Sequence, residues 1–301
     1  MSAQLPPFTD THEQYAVGEA VCGTDVATDW WIDWIGDCSS AGEISDTTAS
    51  EGTKSYWVRP SDGGATDLVD PVLNLGNKIF GEWYLRFFYY VPTDMQGYMN
   101  IQGLTPIAGG EWVVGNIYFN QDGLDPGAGV IDNSALGAVS FTYPEGEWFA
   151  IEMSWDITAG ITNATWSMDV AGVNVIPEGT AFEDAGGVDP TGLGGLNFYS
   201  LNMETSYYID DIIYSDQPIA GVEDLRAAGI AIYPNPVQDR LNIQAQEAIS
   251  NIAVYNVLGQ QVYASNVNAL STTIDMSQMA SGAYFVQVEI AGTTYTDKII
   301  K

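Results

Sequence analysis

Histidine occurs once in the 301 residues, at His12, and cysteine twice, at Cys22 and Cys38. So few soft ligands cannot build a zinc cluster, and a Ser-His-Asp triad has a single candidate base. No Gly-x-Ser-x-Gly elbow accompanies that histidine, and no glycine-rich phosphate loop follows a strand. His12 therefore reads as a surface residue of an N-terminal strand rather than a general base. No apolar run approaches the roughly 20 residues that a membrane-spanning helix needs. A sustained 3.6-residue hydrophobic period is also missing, so helices should be short or absent. Positive charge is scarce: 8 Lys and Arg stand against 39 Asp and Glu. Residues 225–301 hold five of those acids and four of the bases, leaving 34 acids and 4 bases in the first 224 residues, a net of −30. Such a surface repels nucleic acid and anionic membranes, so neither is an expected partner. It suits a salty or calcium-rich exterior, or general solubility.

What is present is β-sheet material. Between about Phe8 and Asp216, segments rich in Trp, Tyr, Phe, Val and Ile suit pleated, half-buried strands. They are Ser55–Arg59, Glu82–Val91, Tyr98–Leu104, Trp112–Asn120, Ala138–Tyr143, Glu147–Asp156, Ala164–Val170, Gly195–Leu201 and Tyr207–Tyr214. Gly, Pro, Asp and Asn clusters separate them, and a tight turn is expected at Ala171-Gly172. About nine strands at this spacing predict an all-β, two-sheet sandwich or jelly roll. In the strand over 82–91, Tyr84, Arg86, Phe88 and Tyr90 share one face and Trp83, Leu85, Phe87 and Tyr89 the other. The last seventy-odd residues alternate apolar and polar with period two, closed by turns at Pro234-Asn235-Pro236, Leu258-Gly259, Ser281-Gly282 and Ala291-Gly292. They predict a second, small antiparallel sandwich. The expected domains are thus 1–216 and 227–301, with 217–226 as linker.

The tail carries Tyr233-Pro234-Asn235-Pro236, then Val254 to Gln260 (VYNVLGQ), Ser281-Gly282-Ala283-Tyr284, and a final Lys298-Ile299-Ile300-Lys301. In these motifs and their order it resembles the type A C-terminal sorting domain of Bacteroidetes type IX secretion cargo. The resemblance implies an Ig-like β-sandwich, handling by the type IX machinery through residues 227–301, and an extracellular or outer-membrane-surface location. Ser2-Ala3-Gln4 is similar to the tail of a cleaved leader, so the chain is expected to begin near a mature terminus. Export to oxidising surroundings favours a Cys22–Cys38 disulfide over two free thiols. The first domain, through residues 73–93, 141–157 and 196–216, is similar to the concanavalin-A-like lectin/glucanase sandwich. Hydrolytic members of that group carry a Glu-x-Asp-x-x-Glu strand, and lyase-like ones Arg, Gln-x-His and Tyr-Lys motifs; both patterns are missing, so no catalytic residue is assigned. Such sandwiches often hold a structural Ca²⁺ between first and last strands, where Glu13 and Asp211 are the candidate ligands. The other reading of Asp210-Asp211 is a solvated pair at a sheet rim.

Trp30, Trp31 and Trp34 are interleaved with carboxylates inside the Cys22–Cys38 loop. Exposed indoles stack on sugar rings while neighbouring carboxylates accept hydroxyl hydrogen bonds; the alternative is that they plug the core. The expected function is binding of an extracellular polysaccharide, or adhesion, without catalysis. The rivals are a polysaccharide-degrading enzyme on the same fold and a self-assembling surface protein.

Overall fold

The computed structural model describes residues 6–25, 27–60, 68–107, 112–219, 229–235, 237–256 and 260–301. Residues 220–226 of the expected linker, Pro236 and the Leu258-Gly259 turn lie outside them. The chain forms two compact units, one ending at Pro218 and the other beginning at Ile219.

Among the described residues the first unit has fifteen strands. In chain order they are β1 (Phe8–Asp10), β2 (Trp31–Asp33), β3 (Glu43–Ser45), β4 (Ser55–Val58) and β5 (Pro71–Lys78). Next come β6 (Glu82–Tyr90), β7 (Gly97–Gln102), β8 (Trp112–Phe119), β9 (Ala128–Asn133) and β10 (Val139–Thr142). The last five are β11 (Trp148–Asp156), β12 (Thr165–Val170), β13 (Val173–Ala181), β14 (Leu193–Asn197) and β15 (Tyr207–Ser215). Among the described residues helix is confined to two 3-10 turns, Gln121–Gly123 and Ile161–Asn163.

The strands divide into an eight-stranded sheet, ordered β13-β12-β11-β6-β15-β4-β3 with β1 on β15, and a seven-stranded sheet, ordered β10-β9-β8-β7-β14-β5-β2. Pairing is antiparallel throughout both ladders. The chain passes from β5 to β6 to β7, and again from β13 to β14 to β15, switching sheet each time; this is jelly-roll wiring. Alternation sets the two layers. On β6, Trp83, Leu85, Phe87 and Tyr89 enter the core, while Tyr84, Phe88 and Tyr90 are half-buried on the opposite face. Opposite them Met99 and Ile101 of β7, Leu73 and Leu75 of β5, and Leu196 of β14 complete the core. Aromatic edges meet across it, as in Phe87 and Phe198, 5.8 Å apart and perpendicular. The β12–β13 hairpin turns at Ala171 (φ 51°) and Gly172 (φ 74°), the two left-handed residues that match strand twist.

The second unit holds β16 (Ala231–Tyr233), β17 (Arg240–Asn256), β18 (Gln261–Asp275), β19 (Ala283–Ile290) and β20 (Thr293–Ile300) in one hydrogen-bonded sheet. The long β17 breaks register between Gln244 and Ile249. Both of its halves, through Leu241 and Ile243 and through Ile252 and Val254, bury side chains in a single core.

Candidate functional site

Period-two alternation that buries Met99 and Ile101 turns Tyr98, Asn100 and Gln102 onto the outer face of the seven-stranded sheet. Asn197 of β14, next to the core residue Leu196, takes the same face. These side chains join in a row that crosses the strands. Asn197 Nδ2 donates to Asp70 Oδ1 (2.5 Å), just ahead of β5. Asn100 Nδ2 donates to Asn197 Oδ1 (3.0 Å) and to the Tyr98 hydroxyl (3.0 Å). That hydroxyl donates to Asn116 Oδ1 (2.6 Å), and Asn116 Nδ2 to Asp132 Oδ2 (3.1 Å) on β9. Gln102 Nε2 donates to Asn100 Oδ1. Asn116 reaches the row because β8 bulges there, with φ 42° at Asn116; a bulge re-aims a side chain in this way. Tyr118 and Tyr199 flank Tyr98 at 5.3 and 6.3 Å, both half-buried.

At one end the segment after β7 folds back over the sheet: Thr105 Oγ1 donates to Asn74 Oδ1 (2.8 Å). The approach is so close that a Cβ on Gly194 would lie 2.5–2.7 Å from the Leu104 backbone, so only glycine fits. The other end, with Asn116, Tyr118 and Asp132, remains accessible.

Two carboxylates close the row, and burial dominates both. It pushes Asp70 up to about 6, against the Asn197 hydrogen bond and with help from the nearby charge of Asp33. Asp132 is raised by burial too, against the Asn116 bond. Because the folded protein holds Asp70's proton more tightly than the unfolded chain, this contribution is present at low pH. It is lost as pH rises from about 4 through 6. Asp70→Asn should therefore gain on wild type by up to about 3 kcal/mol between those limits. Urea midpoints of both proteins at pH 4, 5, 6 and 7 measure it; a pH-independent difference would sink the assignment.

The expectations for His12 and Trp31 need correction. The N-terminal strand ends at Asp10, and His12 lies in the turn after it with φ 59°, fully buried rather than at the surface. Its Nδ1 is 3.4 Å from Asp210 Oδ1 and its Nε2 is 3.7 Å from Asp10 Oδ2. Asp10 also accepts from Gln14 Nε2 (2.8 Å), Trp30 Nε1 (3.3 Å) and Trp31 Nε1 (3.0 Å). Trp31 is thus a core residue, 2% exposed and stacked on Tyr56 at 4.2 Å, with no face for a sugar. Trp30 stacks one face on Phe8 and, with Tyr15, Glu19 and Asp29, lines a cleft of about 220 Å³. Trp34 is half-buried, its backbone amide donating to the Asp70 carbonyl (3.0 Å). The disulfide Cys22–Cys38 closes this loop.

The candidate calcium ligands are differently employed. Glu13 sits in the same turn as His12, outside any strand. Its Oε1 accepts the amides of Thr53 (2.7 Å) and Lys54 (2.8 Å), and its Oε2 the Thr53 hydroxyl (3.0 Å). Burial opposes its ionisation, but these bonds together hold its carboxyl below the usual range. The Lys54 ammonium donates to the carbonyls of Glu13 (2.8 Å) and Tyr15 (2.7 Å). A divalent ion here would displace three donors and stand beside a fixed positive charge. Asp211 is buried at a bulge with φ 49°, and it is Asp210 that turns towards His12. Among the described residues no three acidic, histidine or cysteine side chains are placed to hold a metal. This donor set does not fit Ca²⁺.

In the second unit the tail motifs converge on the chain end. Asn235 Oδ1 accepts the Ile300 amide (2.9 Å), Val237 donates its amide to the Ile300 carbonyl (2.7 Å), and Gly282 and Lys301 exchange backbone bonds of 2.8 and 2.9 Å. Residues 231–301 match the family described as "Secretion system C-terminal sorting domain". The tail is a type IX sorting domain. The sorting domain directs the chain to the type IX machinery and so to the cell surface or the extracellular space. No helix among the described residues is long and apolar enough to cross a membrane.

The sequence matches no curated protein. Solved structures similar to the chain include lectin-like and glucanase sandwiches. The T. cruzi calreticulin globular domain is 11% identical, over 67% of this chain and 89% of its own, with a TM-score of 0.39. The endo-beta-1,3(4)-glucanase SCLam of family GH16 is 12% identical, over 70% and 90%, at 0.39. The carbohydrate recognition domain of Emp46p, in a metal-free form, is 10% identical, over 70% and 100%, at 0.38. At such scores the architecture rests on the strand order given above, and the site on its own geometry.

Proposed function

We propose that the sandwich is a polysaccharide-binding or adhesion module without catalytic activity, carried outside the cell by its sorting domain. The observation behind this reading is the hydrogen-bonded row Asp70–Asn197–Asn100–Tyr98–Asn116–Asp132, flanked by Tyr118 and Tyr199. Amides and carboxylates held in fixed geometry read sugar hydroxyls, and tyrosine rings supply apolar contact with a polar tip. The row replaces the Trp30–Trp34 loop as the favoured surface because its half-buried tyrosines border an accessible face.

Spacing argues against hydrolysis. Asp70 and Asp132 belong to strand positions four ladders apart, so their backbones stand roughly 19 Å from each other. Glycosidase carboxyl pairs lie about 5–9.5 Å apart. Asp33 is nearer to Asp70, but its oxygens accept the amides of Gly36, Asp37 and Ser40 and the Ser40 hydroxyl. A carboxylate so saturated is a loop clamp, not a nucleophile. A glycan array with the full chain, followed by titration of the best binder, tests the reading. Tyr118→Ala/Tyr199→Ala should weaken binding about tenfold or more, roughly 1.4 kcal/mol, with the melting temperature preserved. An array without hits would refute binding, and reducing ends released from the bound polymer would turn the reading to hydrolysis.

A further inference from the structure

We infer that the glycan taken by the seven-stranded face carries protonated amines, as a glucosamine-type polymer does; the inference rests on the polysaccharide-binding reading above. Hydrogen-bond capacity left over on this face points that way. Asn197 Nδ2 is committed to Asp70 and the Pro71 carbonyl, and Asn100 Nδ2 to Tyr98 and Asn197. Tyr98 donates to Asn116, and Gln102 donates to Asn100. What remains on the two carboxylates of the row is acceptor capacity. Asp70 Oδ2 accepts no hydrogen bond from a described residue. Gln102, fully buried on the same face, has an Oε1 that likewise finds no donor among them. Asp132 is an exposed carboxylate at the opposite end. An ammonium offers three donors and no acceptor, so it complements such a face; a carboxylate or sulfate offers only acceptors.

Charge points the same way. The first 224 residues hold four bases, and each is placed elsewhere. Lys54 is held by the Glu13 and Tyr15 carbonyls, and Arg59 pairs with Glu43 at 2.8 Å and lies over Trp57. Lys78 is buried over the Trp83 ring, and Arg86 is buried on β6 in the other sheet. None stands on the row to compensate an anionic sugar. A net charge of −30 would repel one before contact, whereas it raises the local concentration of a polycation.

Length-matched oligomers separate the possibilities: glucosamine, N-acetylglucosamine, glucose and a uronic acid, each titrated into the full chain. Ionic strength is fixed and the pH keeps the amine protonated. The glucosamine oligomer should bind at least tenfold tighter than the two neutral ones, and the uronate oligomer should not bind. Asp70→Asn/Asp132→Asn should abolish that preference. Glu147→Gln/Glu178→Gln removes the same charge from exposed positions at the other sheet and should retain it. Equal binding of neutral and amino oligomers, or binding of the uronate, overturns the inference and leaves polysaccharide binding standing. If both double variants lose the preference alike, bulk charge explains it and the assignment to this face is overturned. If no oligomer binds, the inference is overturned, and the glycan array alone decides whether the face binds another polysaccharide.

Discussion

His12→Ala is expected to cost the sandwich about 1–3 kcal/mol, the range for leaving a buried polar group without its partner. The imidazole is fully buried between Asp10 and Asp210, and both carboxylates are fully buried as well. Other donors reach them: indoles and Gln14 for Asp10, and for Asp210 the amides of Ser50 (2.9 Å), Glu51 (3.4 Å) and Asp211 (2.8 Å). Without the imidazole, two buried carboxyl groups lose the ring that lies between them. The sign of the pH effect follows from Asp210. Burial raises its pKa first of all, and the neighbouring Asp211 charge adds to this, against the His12 hydrogen bond. A folded-state pKa above the unfolded one means stability is greatest with the proton on and is lost as pH rises. The cost of His12→Ala should therefore be largest near neutrality and shrink in acid. His12→Gly is the control for the backbone, because φ 59° suits glycine and strains alanine. Both variants should be destabilised in urea at pH 7. A glycine variant as stable as wild type would show that the imidazole contributes nothing beyond filling the turn.

That cluster also shows where sequence reasoning ends. Alternation exposed β6 and β11 directly, since EWYLRFFYY and WFAIEMSWD place large apolar residues at every second position. The strand β5, PVLNLGNK, escaped because Asn74, Gly76 and Asn77 are residues that strands avoid, and here they serve loop contacts over the sheet. His12 reads as a surface residue because a lone histidine in a polar stretch carries no local sign of burial; its partner Asp210 is 198 residues away. The binding row was hidden for a related reason. Tyr98, Asn100 and Gln102 look like the solvated face of an ordinary strand. Only the fold brings Asp70 to Asn197, 127 residues on. By contrast, the disulfide and the sorting tail were legible because both are local: one joins cysteines 16 apart, the other repeats short motifs in order.

Replacing Cys22 and Cys38 together by alanine should lower the stability of the sandwich by about 3 kcal/mol, the loop-entropy expectation for a closure of this length. Intact-mass measurement should first show the native chain two hydrogens lighter than its reduced form. The closed loop contains β2, whose Trp31 packs on Tyr56 and donates to Asp10, and whose Asp33 clamps residues 36–40. Those contacts anchor the same segment that the disulfide restrains, so the two devices should not act independently. Once the covalent closure is gone, the β2–β5 ladder, the Trp31–Tyr56 stack and the Trp31–Asp10 bond must hold the segment without it. His12→Ala, which leaves Asp10 without its imidazole, should then weaken that hold further. A double-mutant cycle combining Cys22→Ala/Cys38→Ala with His12→Ala should give an interaction energy of about 0.5 kcal/mol or more, the lower bound for sites that share partners. Strict additivity would mean that the loop is secured by the core alone, and that the buried histidine cluster stabilises β1 and β15 without reaching β2.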